Sequence, residues 1–238
     1  MKPKAIVKTA VDSLMTAAVL AMMGRHLWGN AFHEWLGVFT GVLFLVHNIL
    51  NYRWYAALFK GRYTLQRTAG LWVTMLLLAA MAALLASGIV MAGSTFGLPK
   101  ITGMTALARQ LHILGSHWGF LLISLHLGMN WKMLVGMATK PLALSRPSPS
   151  KRAVMFTAAL MIAAYGAYVF VKRDFITGLL LKSEFVFLDF SEPKLLFLVD
   201  YIALMGLGVF SGHHMSKGLK AVSDMLRRRA ASFALQRA

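Results

Sequence analysis

Apolar residues fall in long, uninterrupted runs along this chain, and short basic segments separate the runs. Six of the runs approach or exceed the roughly 20 residues that a helix needs to cross a bilayer. None of them shows the period-two alternation that is typical of a transmembrane strand. The pattern predicts six transmembrane helices, at residues 8–27, 32–55, 68–92, 110–135, 153–171 and 195–215.

The composition supports a membrane protein. Hydrophobic residues make up 58% of the chain and charged residues 14%, whereas charged residues are about 25% of an ordinary soluble domain. The first apolar run follows Lys2, Lys4 and Lys8 and could be a signal peptide, but it is too long for one and has no evident cleavage site. The predicted fold class is therefore an all-α integral membrane helical bundle.

Proline positions suggest how the bundle is divided. Three prolines within 12 residues predict a cytoplasmic linker at 141–152. The linker would separate a four-helix transmembrane unit, residues 1–140, from a two-helix appendage, residues 153–215. The appendage would carry an external loop at 172–194, lying on the membrane, against a partner or packed on the rim of the bundle. Residues 216–238 would form a basic tail, part of it a short amphipathic helix on the inner leaflet.

The net charge of +17 raises the question of nucleic acid binding. The basic residues, however, are scattered over short segments beside the apolar runs, as the positive-inside rule describes. Eighteen of the 25 lie in the N-terminus, the second and fourth connections and the tail, all on one predicted side. We therefore expect no nucleic acid partner. We expect a multi-pass protein of a prokaryotic cytoplasmic membrane with both termini in the cytoplasm.

Candidate chemistry lies in a repeat within the second and fourth apolar runs. Each run carries two histidines fourteen residues apart: His33 with His47, and His112 with His126. After the second histidine the sequence reads His-x-x-x-Asn-Tyr-Arg in one run and His-x-x-x-Asn-Trp-Lys in the other. Fourteen helical residues advance about 21 Å and return to nearly the same face. Each run should therefore present two imidazoles on one face at two depths.

The two runs cross the membrane in the same direction, so their histidines should pair level by level. His33 would pair with His112 near the outer face, and His47 with His126 nearer the cytoplasm. Each pair could supply both axial ligands of one haem b, whose porphyrin supplies the other four donors. With no cysteine in the chain, covalent haem attachment through a C-x-x-C-H motif is excluded. Zinc or copper would be poorly held by two imidazoles alone.

Other interpretations of these residues stay open. The four histidines could hydrogen-bond between helices, although polar residues inside a membrane tend to be functional. Small residues on the same two runs could make room for flat macrocycles or could be ordinary helix contacts. They are Gly37, Thr40, Gly41, Gly115, Ser116, Gly119 and Ser124.

Six further residues need an interpretation. Arg53 and Lys132 stand six residues after the inner histidines, where they could neutralise haem propionates or simply be positive-inside charges. His117 is about 180° from His126 around the helix, which predicts an interhelical hydrogen bond. His26 could be an interface residue, a proton relay or part of a quinone pocket. His213 and His214 are predicted to be solvated interface residues unless a cofactor lies beside them.

Several segments resemble the flavinylation-associated membrane cytochromes, a family long listed as a domain of unknown function. They are HEWLG at 33–37, NYRW at 51–54, LHILGSHWGFLLISLHLGMNW at 111–131, YGAYVFVKRDF and FVFLDFSEP. The resemblance implies a helical domain with bis-histidine haem b that works with proteins carrying covalent FMN outside the cytoplasm. It assigns the ligands as His33, His47, His112 and His126. The layout is also similar to the di-haem cytochrome b of quinol-oxidising respiratory complexes.

The sequence thus predicts a two-haem membrane cytochrome, the electron-transfer subunit of an oxidoreductase system. It would relay electrons between a quinol or cytoplasmic-side donor and an extracytoplasmic partner that carries flavin, with a quinone site as an option. The alternative is a haem-free membrane scaffold or transporter that uses the histidines for metal or proton handling.

Overall fold

The computed structural model describes residues 3–92, 103–139, 148–183 and 189–236. Every regular element within these ranges is a helix, which confirms the predicted all-α bundle. The helices are α1 (Pro3–Met22), α2 (Arg25–Trp28), α3 (Asn30–Leu50), α4 (Tyr52–Ala56), α5 (Leu65–Met91), α6 (Thr105–Met129), α7 (Trp131–Thr139), α8 (Pro149–Lys172), α9 (Phe175–Leu179) and α10 (Lys194–Leu235).

Five helices of the described residues are long and apolar enough to cross a membrane, namely α1, α3, α5, α8 and α10. They show a multi-pass membrane protein. The sixth predicted span, 110–135, is not confirmed by this criterion, although its counterpart α6 is 25 residues long. The reason lies in the polar residues of α6, which include Arg109, Gln110 and three histidines.

Helix α6 lies inside the bundle, with α5 along one side and α10 along another. Seven of its residues are buried: Ala108, Gly115, Gly119, Phe120, Leu122, Ser124 and Gly128. Neighbouring helices, rather than lipid, cover most of its surface. A polar sequence can therefore occupy this position without exposing its side chains to hydrocarbon.

Two predicted spans end earlier than expected, and both end in the same way. Residues 32–55 break at Asn51 between α3 and α4, and residues 110–135 break at Asn130 between α6 and α7. The Asn51 side chain donates to the carbonyl of His47 at 2.8 Å, and Asn130 donates to that of His126 at 2.9 Å. An amide side chain that bonds to the carbonyl four residues earlier competes with the helical backbone for it, which accounts for the break.

Glycine contacts set the distance between α6 and α10. A Cβ on Gly128 of α6 would overlap the backbone carbonyl of Val209 in α10. In the other direction, a Cβ on Gly212 would overlap the carbonyl of Leu125, and one on Gly208 would overlap Ser124. The same device joins α8 to α10, where Gly166 faces Ala203. Close packing through small residues is how helices associate within a membrane, where lipid is as apolar as leucine.

An ionic cluster joins α8, the segment that follows it, and the start of α10. The Asp200 side chain is fully buried and accepts hydrogen bonds from Tyr165 at 2.6 Å, Lys172 at 2.9 Å and Arg173 at 2.7 Å. Arg173 also forms an ion pair with Glu192. Burial acts to lower the pKa of the Arg173 guanidinium, but its bonds to the two carboxylates outweigh this effect and raise it. The Arg173 guanidinium therefore stays charged at physiological pH.

The segment between α8 and α10, predicted to be external, is partly core. Phe175 of α9 is 2% exposed and packs on Phe120 of α6 at a ring-centroid distance of 5.9 Å. The indole of Trp118 donates to the carbonyl of Leu179 at 2.9 Å. Of the three alternatives for loop 172–194, packing on the bundle applies to residues 175–179. Residues 184–188 are outside the described ranges.

The linker and the tail are the remaining predicted segments. Residues 141–147 of the linker lie outside the described ranges, and α8 begins at Pro149, after Ser148 accepts a hydrogen bond from the amide of Lys151. Helix α10 continues without a break through residue 216, so the tail extends the last helix instead of starting a new one. Helix α10 contacts both α6 and α8. The division into a four-helix unit and an appendage stays a prediction.

The close contact at Gly128 can be tested by substitution. We expect Gly128→Ala to lower the free energy of unfolding by about 1–3 kcal/mol, because the added methyl group must displace the Val209 backbone. The matched control is Gly218→Ala in α10, where a Cβ would meet nothing within 4 Å. Helix propensity predicts that the control is neutral or stabilising. Unfolding in SDS, followed by far-UV circular dichroism, measures both; equal effects would contradict the packing described here.

Candidate functional site

The structure brings the predicted outer pair together. The rings of His33 in α3 and His112 in α6 have centroids 6.0 Å apart, with an interplanar angle of 65°. Two imidazoles bound to opposite sides of one metal ion at about 2 Å each have ring centroids about 6 Å apart. The spacing of the pair therefore suits a shared metal ion, including a haem iron.

The predicted inner pair also lies at one level. His126 of α6 is within electrostatic range of His47 in α3 and of Asp12 in α1. His47 itself is bonded to Asp12, with 2.7 Å between Nδ1 and Oδ1. The fourteen-residue repeat thus produces two histidine pairs between the same two helices, one near each end.

Oxygen atoms on neighbouring helices hold three of the four imidazoles by the same nitrogen. The Nδ1 atom of His47 lies 2.7 Å from Asp12, that of His112 3.1 Å from Ser87 Oγ, and that of His126 3.4 Å from Thr74 Oγ1. A histidine that binds a metal through one nitrogen almost always uses the other in such a bond, which fixes its tautomer and orientation. Asp12 can act only as an acceptor when ionised, so it makes His47 a donor at Nδ1.

Sequence reasoning missed these three partners. Asp12 did carry a signal, because it is the single acidic residue of α1, and a carboxylate inside a membrane is rarely without a function. Thr74 and Ser87 are thirteen residues apart on α5, close to the interval between His112 and His126. Only the antiparallel packing of α5 on α6 makes that interval meaningful.

The fourth imidazole is different. The Nδ1 atom of His33 is buried and has no hydrogen-bond partner among the residues that the structure describes. A buried polar atom without a partner is unfavourable by roughly 1–3 kcal/mol. It leaves Nδ1 of His33 available to a ligand, while the ring also interacts with the backbone of Met22 in α1.

Open space borders α3 between its two histidines. The backbones of α3 and α6 approach each other at few points, although α3 packs along α1 and α6 along α5 and α10. Gly37, between the two histidines of α3, has nothing within 4 Å of where its Cβ would be. The outer pair places two imidazoles from two parallel helices next to each other, and two is the number of protein donors in an axially ligated haem.

The small residues of α3 and α6 could make room for a macrocycle or could be ordinary helix contacts, and the structure separates the two cases. Gly115 and Gly119 face Leu84 of α5, and Ser124 faces Gly208 of α10, so these three are helix contacts. Gly41 is close to Leu85, 3.0 Å from its would-be Cβ. Gly37 borders open space. The ordinary explanation therefore holds for most of the set and leaves Gly37 as the candidate that makes room.

The other histidines lie outside the pairs. His117 bonds through Nδ1 to the carbonyl of Ile113 at 2.8 Å, within its own helix, and packs on Phe175 instead of forming the predicted interhelical hydrogen bond. His26 packs on Phe197, with Glu192 3.9 Å away. Burial lowers the pKa of His26, and Glu192 opposes this only in part.

The last two histidines have different surroundings. His214 packs on Phe210, with ring centroids 4.3 Å apart, so it is less solvated than predicted. His213 lines a groove that also contains Lys132. Arg53 is exposed on α4 and bonds to the hydroxyl of Tyr52 at 3.4 Å. A role for Arg53 or Lys132 toward haem propionates stays a prediction.

The donor set limits the chemistry. Within the described ranges, no group of three or more His, Asp or Glu side chains is placed to hold a metal ion. Each pair offers two imidazoles, which is the number that an axially ligated haem requires. No protein-family model, no curated protein and no solved structure matched the chain when it was compared with each.

Proposed function

We infer that this protein is a membrane b-type cytochrome that relays electrons across the bilayer through two bis-histidine haems. His33 and His112 would hold one haem, and His47 and His126 the other. The observation that carries the proposal is the outer pair of imidazoles, whose ring centroids lie 6.0 Å apart between α3 and α6. His47 and His126, which interact electrostatically on the same two helices, add a second level. A haem bound at each pair would accept and release one electron at its iron.

The chain's own residues would position and tune these centres. Asp12, Ser87 and Thr74 orient three imidazoles through Nδ1. Ligation would use Nε2, and at His47 and His126 it would displace the amides of Asn51 and Asn130, which lie 3.5 Å from that nitrogen. The contribution of Asp12 differs from that of the two hydroxyls, because a carboxylate strengthens the donor character of its histidine more than a neutral oxygen does. The inner centre should therefore be more electron-rich than the outer one.

The proposal includes α6 as a sixth span. Its 25 residues would extend about 37 Å, enough to cross the hydrocarbon core, and protein partly covers its three histidines. Six spans return both termini to one side, and the distribution of Lys and Arg makes that side the cytoplasm. A prokaryotic inner membrane is the location that this arrangement fits best.

The proposed donor is a quinol or a cytoplasmic-side reductant, and the proposed acceptor is an extracytoplasmic protein that carries flavin. Support for the flavin partner is limited to the sequence resemblance. The two histidine levels support transfer from one face toward the other, since fourteen residues separate them along each helix.

Ligand substitutions test the two-site arrangement. We expect His33→Ala and His47→Ala each to remove about half of the haem, because each leaves the opposite pair intact. His117→Ala is the matched control, a histidine of α6 outside both pairs, and should retain all of it. The pyridine haemochrome assay measures haem per polypeptide. Full haem in both ligand variants would refute the assignment.

The bond between Asp12 and His47 predicts a change in one redox potential. In Asp12→Asn a neutral amide replaces the carboxylate, the oxidised iron loses stabilisation, and the potential of the inner centre should rise by some tens of millivolts. The outer centre should shift much less. A spectroelectrochemical titration resolves the two components. The control variant, Asp224→Asn, removes the same charge outside the two histidine pairs. An equal rise of the inner redox potential in that variant would refute the specific role of Asp12.

A further inference from the structure

A groove of about 390 Å³ opens between α5, the junction of α6 with α7, and α10. Its two walls are joined by a hydrogen bond of 2.7 Å from the amide of Gln66 to Ser216 Oγ. Its lining combines cationic, polar and apolar side chains, which include Lys132, Lys217, Lys220, Asn130, Met129 and Met133.

The three lysines of the groove give it an unbalanced charge. Lys132 comes from α7, and Lys217 and Lys220 come from α10, so two elements bring them to one cavity. Asp224 is the carboxylate in the lining. No ion pair of these ammonium groups occurs within the described part of the chain, and all three side chains are exposed.

At the opposite end of α10, by contrast, the cationic side chains are paired with carboxylates. There, Lys172 and Arg173 are matched by the buried Asp200 and by Glu192. Lys217 follows Asp200 by seventeen residues, about 25 Å along the helix, which brings the groove to the other end of the apolar part of α10. Cations converge there without matching carboxylates, and the groove favours an anion.

The position of the groove indicates the kind of anion. It lies near the end of the transmembrane portion of α10, on the side where the basic residues predict the cytoplasm. Anionic lipids give that leaflet its negative surface potential, and basic pockets between transmembrane helices bind their headgroups. Met129 and Met133 add apolar surface to the groove, which a lipid can contact and a free inorganic anion cannot use.

We propose that this groove binds the headgroup of an anionic phospholipid, with the phosphodiester among Lys132, Lys217 and Lys220 and an acyl chain against the methionines. The site adjoins the inner histidine pair, because Asn130 in its lining contacts His126, but the proposed lipid contacts involve none of the four paired histidines. It would fix the ends of α5, α7 and α10 to the inner leaflet through one bound lipid.

Lipid binding can be measured on the full chain, purified in a mild nonionic detergent. Native mass spectrometry counts retained lipids while phosphatidylglycerol or phosphatidylcholine of identical acyl chains is titrated. We expect the wild-type chain to prefer phosphatidylglycerol at least tenfold. Each lysine near an anionic group is worth about fivefold, so a Lys132→Gln, Lys217→Gln, Lys220→Gln triple variant should lose that preference.

The matched control removes three charges from the same predicted face outside the groove: Lys4→Gln, Lys60→Gln and Lys151→Gln. It should keep its affinity for phosphatidylglycerol within about twofold. Equal binding of the two lipids by the wild-type chain, or equal weakening in the two triple variants, would overturn the proposal.

Two further measurements distinguish a bound lipid from inorganic phosphate and from haem. Inorganic phosphate at millimolar concentration should fail to displace the lipid; displacement would make the groove a site for free phosphate and overturn the proposal. Haem per polypeptide should be the same in the groove variant and the control. Loss of haem in the groove variant alone would assign the lysines to the cofactor and would also overturn it. If neither protein contains haem, the lipid measurement still decides the proposal.

Discussion

Polar side chains inside a membrane need hydrogen-bonding or ionic partners, and the rest of this structure depends on that constraint. An imidazole in hydrocarbon is unfavourable unless its nitrogens are bonded or ligated. Asp12 of α1 meets that need for His47, and Ser87 and Thr74 of α5 meet it for His112 and His126. These bonds fix the register of α1 against α3 and of α5 against α6.

The same constraint explains why α6 can be so polar. It is covered by α5 and α10, and glycines allow α10 to approach closely: Gly128 of α6 lies against the Val209 backbone, and Gly212 of α10 against the Leu125 backbone. Without that contact, more of α6 would face lipid. The histidine arrangement therefore relies on α10, a helix that carries neither histidine pair. A separation of the chain into a binding unit and an appendage would underestimate this dependence.

Much of the fold follows from the sequence, because the length and apolarity of a run suffice to predict a helix that crosses a membrane. The pairing of His33 with His112 followed from two properties that the sequence shows directly. One is the spacing of histidines within each helix, and the other is the direction of each helix, which follows from the number of spans before it. The partners of Nδ1 did not, since Asp12 and His47 are 35 positions apart and only tertiary packing joins them. Asn51 and Asn130 were visible as a repeat, but their effect of ending a helix required the side-chain geometry.

The most direct test of the account is the optical difference spectrum of the purified protein, dithionite-reduced minus air-oxidised, after expression with ample haem. The account predicts the α-band of a b-type cytochrome, with an intensity that corresponds to two haems per polypeptide. A folded, helical preparation that shows no such band would contradict the central claim. It would favour the interpretation of the histidines as residues that handle metal ions or protons.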